Sequence, residues 1–438
     1  MTQIRPSLLK LLAPLLAFAA TLLVLVALGG GGGIELPGRS VGVDVEVPPS
    51  ASTDQRIAAL QRAVHDGLAD PGGYASLGDA SLQKARENGD PSYYSRAERS
   101  FDAALRRDAR NVSALLGAGT LAGLRHDFHE QLRLGLRAHR IMPELADPLP
   151  VIADAQVELG RYRAAAGTIQ RMLDLKPNLA SYARVSYLRE LSGDLEGAVE
   201  AMRLAVSAGA GVPESVAYVQ TLLGDLELQR GRPAAARSTY RAALAWLPRY
   251  APAEVGLARV RIARGDLAGA ARRLRTVTRR LPLVSYVTLL ADVYRARGDE
   301  RAAARHLKVV RAQQRLLRAG GARPDAELVV FEASHGDPTD AVTLGRRLWA
   351  QAPSVRSADA LGWALTRAGR PRAALAWVLR ALRLGSRDPV FRLHAGLAAR
   401  RAGRPNLAAR HLRVALVGRS ALSPLQARDA RSALEAVR

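Results

Sequence analysis

Apolar and polar positions divide the chain into three stretches of different kind. From Leu11 to Leu28 no charge interrupts a run of eighteen residues, and Arg5 and Lys10 precede it without an acid. A helix of that length reaches roughly 27 Å, about the thickness of a hydrocarbon core. The run stops at five glycines, Gly29 to Gly33, and residues 34–53 follow with Pro37, Pro48 and Pro49 and no apolar period. That composition predicts a flexible linker. Regular structure is expected from Thr53 or Asp54, read as an N-cap before Ile57, Leu60, Val64 and Leu68 at helical spacing.

Beyond this point the helical pattern recurs every 34 residues. A shift of that length lays Gly224 on Ala258, Gly231 on Gly265, Ala236 on Ala270, Tyr240 on Leu274, Ala243 on Val277 and Pro248 on Pro282. The same shift lays Gly362 on Gly396, Gly369 on Gly403, Pro371 on Pro405 and Ala374 on Ala408. Small residues at these positions let two helices approach closely. Gly160, Gly193, Gly231, Gly265, Gly298, Gly336, Gly369 and Gly403 suit the left-handed residue that ends a helix. Asp194, Asp266, Asp299 and Asp337 then serve as N-caps of the second helix, or Pro233, Pro371 and Pro405 sit in its first turn. The pattern predicts helix-turn-helix hairpins, stacked many times.

This repeat resembles the tetratricopeptide repeat (TPR) family over roughly residues 74–422, in about ten units starting near 112, 146, 179, 217, 251, 284, 322, 355 and 389 after a weaker first one. The resemblance implies an all-α fold, a right-handed α-solenoid whose first helices line a concave groove. The expected organisation is an N-terminal hydrophobic segment (1–33), a linker (34–53), the solenoid (54–422) and a C-terminal capping helix (423–438). As a whole the chain also resembles exported TPR proteins of GC-rich actinobacteria, which brings no activity with it. TPR grooves mostly hold peptides or extended protein segments. Carried over unit by unit, the family's groove positions fall on Asp154, Glu158, Tyr187, Glu190, Tyr218, Thr221, Asp225, Arg259, Asp292, Arg295, Asp359, Trp363 and Arg400. The family's clamp for a chaperone's terminal carboxylate needs Lys and Asn, and none stands at these positions.

Composition sharpens this picture in three ways. Aromatics make up 5% of the chain and cysteine is absent, so disulfides and thiolate metal sites are excluded. The net charge of +24 is uneven: Ile34–Leu226 holds 21 basic and 25 acidic residues, Glu227–Arg438 41 and 15. The C-terminal half therefore carries a positive field that favours anionic partners. Arginine runs at Arg272, Arg273, Arg275, Arg279, Arg280, at Arg311, Arg315, Arg318, and at Arg346 and Arg347 fall mostly on second helices. They read either as a solvated face or as a surface for anionic lipid or wall polymer. Few aromatics are available for base stacking, which argues against nucleic acid.

Catalytic signatures are missing. His126, His129 and Glu130 are spaced for one metal in principle, but His126 falls in an inter-helix turn, read as solvated, and no third ligand follows at a telling interval. No nucleophile elbow, zinc helix or phosphate loop occurs. No enzyme, metal or cofactor is expected. The sequence reading is thus a scaffold presenting a TPR groove to another protein on the outer side of a bacterial membrane, single-pass with its N-terminus inside. Secretion after signal cleavage, favoured by Ala27-Leu28-Gly29, is the other reading of the first segment. A binder of anionic lipid or wall polymer through the basic half is the alternative function.

Overall fold

A computed structural model describes residues 51–90, 92–209, 213–319 and 323–437. Among these residues there are 22 α-helices, one 3-10 turn and no strand, so the all-α expectation holds. Two compact units, Met1–Gln156 and Val157–Arg438, make up the chain. The first contains α1 (Thr53–His65), α2 (Pro71–Asn88), α3 (Ser92–Arg107), α4 (Val112–Leu124), α5 (Phe128–Ile141) and most of α6 (Pro148–Glu158). The second begins with α7 (Tyr162–Leu175) and continues as hairpins: α8 (Leu179–Leu191) with α9 (Leu195–Ser207), α10 (Pro213–Gln229) with α11 (Pro233–Trp246), and α12 (Ala251–Ala263) with α13 (Leu267–Arg280). Next come α14 (Val284–Ala296) with α15 (Glu300–Ala319), α16 (Ala326–His335) with α17 (Pro338–Gln351), α18 (Val355–Arg367) with α19 (Pro371–Ala381), and α20 (Pro389–Arg401) with α21 (Pro405–Val417). A 3-10 turn (Arg419–Ala421) leads to α22 (Pro424–Glu435).

The turn chemistry follows the repeat pattern closely. Asp194, Asp266 and Asp299 each accept a backbone N–H three residues on, at 2.9, 2.7 and 2.9 Å. These bonds satisfy donors that a helix start leaves free. Where Pro233, Pro371 and Pro405 open the second helix, the preceding arginine makes no side-chain cap. Seven of the eight glycines expected to be left-handed have positive φ. Gly336 departs from the pattern, with φ −120°; there the Glu332 carboxylate accepts the Asp337 N–H at 3.0 Å and closes the turn another way. The first described helix is capped by Ser52, in a capping box with Gln55, one position before the expected cap.

Packing explains the small residues. In the first unit the Phe101 ring, 1% exposed, lies between Gly78 and Gly117, where it leaves no room for a Cβ. In the second, Tyr240 is fully buried between Gly224 and Gly256, and its hydroxyl donates to Asp225 at 2.6 Å. Burying one such aromatic stabilises the fold by about 1.5–3 kcal/mol.

The second unit also winds back on itself. The left-handed glycines that end α6, α8 and α10, Gly160, Gly193 and Gly231, abut the backbone carbonyls of Pro353, Gly385 and Val417. The Val355 N–H donates to the Tyr162 hydroxyl at 2.7 Å across the first of these seams. Further along, the 3-10 turn packs on α10 and α12, and α22 reaches from α21 and α20 across to α14. Its cap residue Ser423 donates to the Asp292 carboxylate on α14. A repeat stack normally joins neighbours only; here hairpins far apart in sequence are in contact.

The membrane location is overturned. Among the described residues no helix is long and apolar enough to cross a membrane. The apolar run 11–28, the five glycines and linker residues 34–50 lie outside the described residues.

Candidate interaction site

First helices carry the thirteen residues selected by the repeat register. Asp154 is buried in the first unit. In the second, Glu158, Tyr187, Glu190, Asp225, Arg259 and Arg295 are half-buried, Tyr218, Thr221, Asp292, Asp359 and Trp363 are buried, and Arg400 is exposed. The Gln229 amide donates to Glu190 at 2.7 Å, and Asp359 Oδ2 lies 2.8 Å from His394 Nδ1. Thr221 donates to its own helix, to the Ala217 carbonyl at 2.8 Å. Burial pushes Glu190 up to about 7 and Asp292 up to about 6, the Gln229 and Ser423 hydrogen bonds offsetting part of the rise. Much of this face is therefore an internal polar layer, engaged with the protein's own groups.

The repeat register missed several members of that layer. Burial and the nearby Asp325 push Glu327 up to about 8. Burial would discharge Arg356, but Tyr187, with which it shares a hydrogen bond, and Glu158 more than compensate. Arg356 stands three residues before Asp359 on α18, so the i, i+3 spacing of a helix face could have found it.

One part of the face stays open. A cavity of about 210 Å³ is lined by Trp363, Thr366 and Arg367 of α18, by Leu397, Arg400 and Arg401 of α20, and by Asp429, Ser432 and Ala433 of α22. The Trp363 ring stacks on His394 with centroids 4.3 Å apart and donates its N–H to Ser334 Oγ at 2.9 Å. Arg367 donates to the Ala333 carbonyl at 3.2 Å and Arg401 to that of Thr366 at 2.6 Å. Burial, then Arg367 and Arg400, hold the Arg401 guanidinium below its ordinary range. Of the thirteen positions, the cavity brings together two, Trp363 and Arg400.

Models of the tetratricopeptide repeat match this chain over residues 151–213 and 227–292. Over those residues the chain carries tetratricopeptide repeats. No curated protein matches it. Among solved structures it is similar to the APC/C hetero-tetramer Cut9-Hcn1, at 14% identity over 89% of this chain and 90% of that one, with a TM-score of 0.36. It is also similar to the human IFIT1 dimer with m7Gppp-AAAA, at 16% identity, 76% and 77% coverage and a TM-score of 0.46. A third is YrrB, a TPR protein with an unusual peptide-binding site, at 19% identity, 45% and 96% coverage and a TM-score of 0.28. TPR proteins are interaction scaffolds that generally bind proteins or peptides and are typically not enzymes.

The arginine runs of this TPR protein lie on second helices. On α13, Arg272, Arg275, Arg279 and Arg280 are exposed and Arg273 is half-buried; on α15, Arg311 and Arg315 are exposed and Arg318 lies in the same helix. Arg346 and Arg347 are exposed on α17. Two of these side chains are tied into the fold, Arg280 within its own hairpin and the turn before it and Arg311 to the next hairpin. Arg280 donates to the Arg249 carbonyl at 2.6 Å and pairs with Glu254 at 3.0 Å, and Arg311 donates to the His335 carbonyl. His126 sits in a turn as expected, with φ 61°, but it is buried and meets the edge of Phe128 at 5.9 Å. Among the described residues no group of three or more His, Asp and Glu could hold a metal ion.

Proposed function

We propose that this TPR protein is a non-enzymatic scaffold that holds a segment of another protein on the concave side of its second unit, at the cavity between α18, α20 and α22. The observation that carries the reading is that cavity, about 210 Å³ in volume and walled by Trp363 and Arg400. Tyr187, Glu190, Asp225 and Asp359 act instead as the polar layer that holds the hairpins in register. A partner segment enters beside α22 and is gripped by the last two repeats. Hydrogen bonds from the arginines orient the segment, and the apolar edge of Trp363 and Leu397 contributes contact area.

The test is site-specific photocrosslinking in the full chain. A benzophenone side chain placed at position 400 is expected to label a bound protein, and one at position 275, exposed on α13, is not. Equal labelling from both positions would move the binding face away from the cavity and overturn the reading.

A further inference from the structure

We infer that the cavity at the ends of α18 and α20 is a receptor for a phosphate monoester, carried on the protein segment that it binds. This rests on the scaffold reading and names the chemistry of the ligand. Three guanidinium groups, Arg367, Arg400 and Arg401, share one cavity of about 210 Å³ with a single carboxylate, Asp429. That carboxylate is itself drawn to the adjacent Arg428, 3.8 Å away. The local balance is close to two uncompensated positive charges in a partly closed space.

The helix ends do not account for all three. Basic side chains in a last turn ordinarily serve the carbonyls left free there. Arg367 and Arg401 do so in part, each giving one donor to a carbonyl of a neighbouring hairpin. A guanidinium has five N–H donors, so both keep others for a ligand. Arg400 has no hydrogen bond or ion pair among the described residues, yet lines the same wall. Burial first, and then repulsion from Arg367 and Arg400, holds the Arg401 guanidinium below its ordinary range, and the repulsive part is relieved when an anion enters.

Charge decides between anions. A carboxylate brings one negative charge and would leave the wall still positive. A phosphate monoester brings about −1.5 to −2 at pH 7 and three acceptor oxygens, which matches both the charge and the number of guanidinium groups. Planar forks bind such oxygens two at a time. The Ser432 side chain on α22 adds a hydroxyl to the wall.

The experiment uses the full chain and three pools of octapeptides with degenerate flanks, fixed at the centre as phosphoserine, serine or glutamate, with inorganic phosphate as a fourth probe. Fluorescence anisotropy follows the peptides, and phosphate is added as competitor. The phosphoserine pool is expected to bind at least tenfold more tightly than the other two, and inorganic phosphate to compete at higher concentration. Arg400→Gln should weaken that binding at least tenfold, while Arg275→Gln on α13 leaves it unchanged. Circular dichroism confirms that both variants fold. Equal binding of the three pools, or equal loss in both variants, overturns the phosphate proposal. If photocrosslinking from position 400 still succeeds, the scaffold reading survives that failure. If no peptide pool binds but inorganic phosphate alone raises the melting temperature of the full chain and not that of Arg400→Gln, the receptor is for the free anion, and the peptide part of the proposal falls.

Discussion

The contact between Gly224 and Tyr240 can be tested by its sign. Replacing Gly224 with Ala would put a methyl 2.5 Å from Tyr240 Cε1 and 2.7 Å from Cζ. Ordinary carbon contacts lie at about 3.5–4.0 Å, so the ring must yield by about 1 Å. Overpacking of this kind costs about 1–3 kcal/mol, and the better helix propensity of Ala returns about 1 kcal/mol. Gly224→Ala alone is therefore expected to destabilise by about 0–2 kcal/mol. Tyr240→Val removes Cε1 and Cζ and opens the space. In that background the added methyl has room, and Gly224→Ala should become neutral or stabilising by up to about 1 kcal/mol. Urea denaturation of the wild type, both single variants and the double variant, followed by circular dichroism, measures the cycle. The expected coupling is about 2 kcal/mol in favour of the pair. If Gly224→Ala costs the same in both backgrounds, within about 0.5 kcal/mol, the ring does not press on this glycine and the packing argument fails.

Two further expectations follow from the same unit. Glu190 is protonated in the folded chain up to about pH 7, whereas an ordinary glutamate ionises near 4.5. Its contribution is full below the unfolded value and is lost as pH rises through the folded one, so stability should fall between pH 5 and 8, by up to about 3 kcal/mol from this group. Glu190→Gln, read by thermal denaturation across that range, should flatten the slope, and an unchanged slope would rule out Glu190 as its source. Gly231→Ala and Gly369→Ala carry the same φ of 73°, but only the first would meet a backbone atom, the Val417 carbonyl oxygen at 2.6 Å. The second should cost about 1–2 kcal/mol of strain and the first clearly more; equal losses in melting temperature would mean that these two hairpins do not touch.

Local geometry was legible in the sequence because each turn is determined by residues within it. Asp266 and Gly265, for instance, carry their own reasons for cap and helix end, whatever packs around them. Gly336 escaped because its turn is closed by a side chain four residues back, Glu332, which accepts the Asp337 N–H. The interior was harder to read. Family register marks which residues face inward, and it marked Tyr187, Glu190 and Asp359. Whether that face is open depends on how far the hairpins curl, which is a sum of small rotations that no single residue displays. Two of the nine lining residues of the cavity were legible, Trp363 and Arg400; Arg367 and Arg401 stand on the same first helices but off the family's groove positions, and the wall supplied by α22 comes from beyond the repeat.

The seams at Gly160, Gly193 and Gly231 bear on how such a protein can change over time. Repeat arrays commonly gain or lose whole modules, since each module needs only its neighbours. In the second unit three module edges are matched to three others farther along the chain. Inserting or deleting one module between Gly231 and Pro353 would put every pair out of step at once. The number of modules in that interval is therefore held by geometry, and the unit should unfold in one cooperative step instead of fraying from an end.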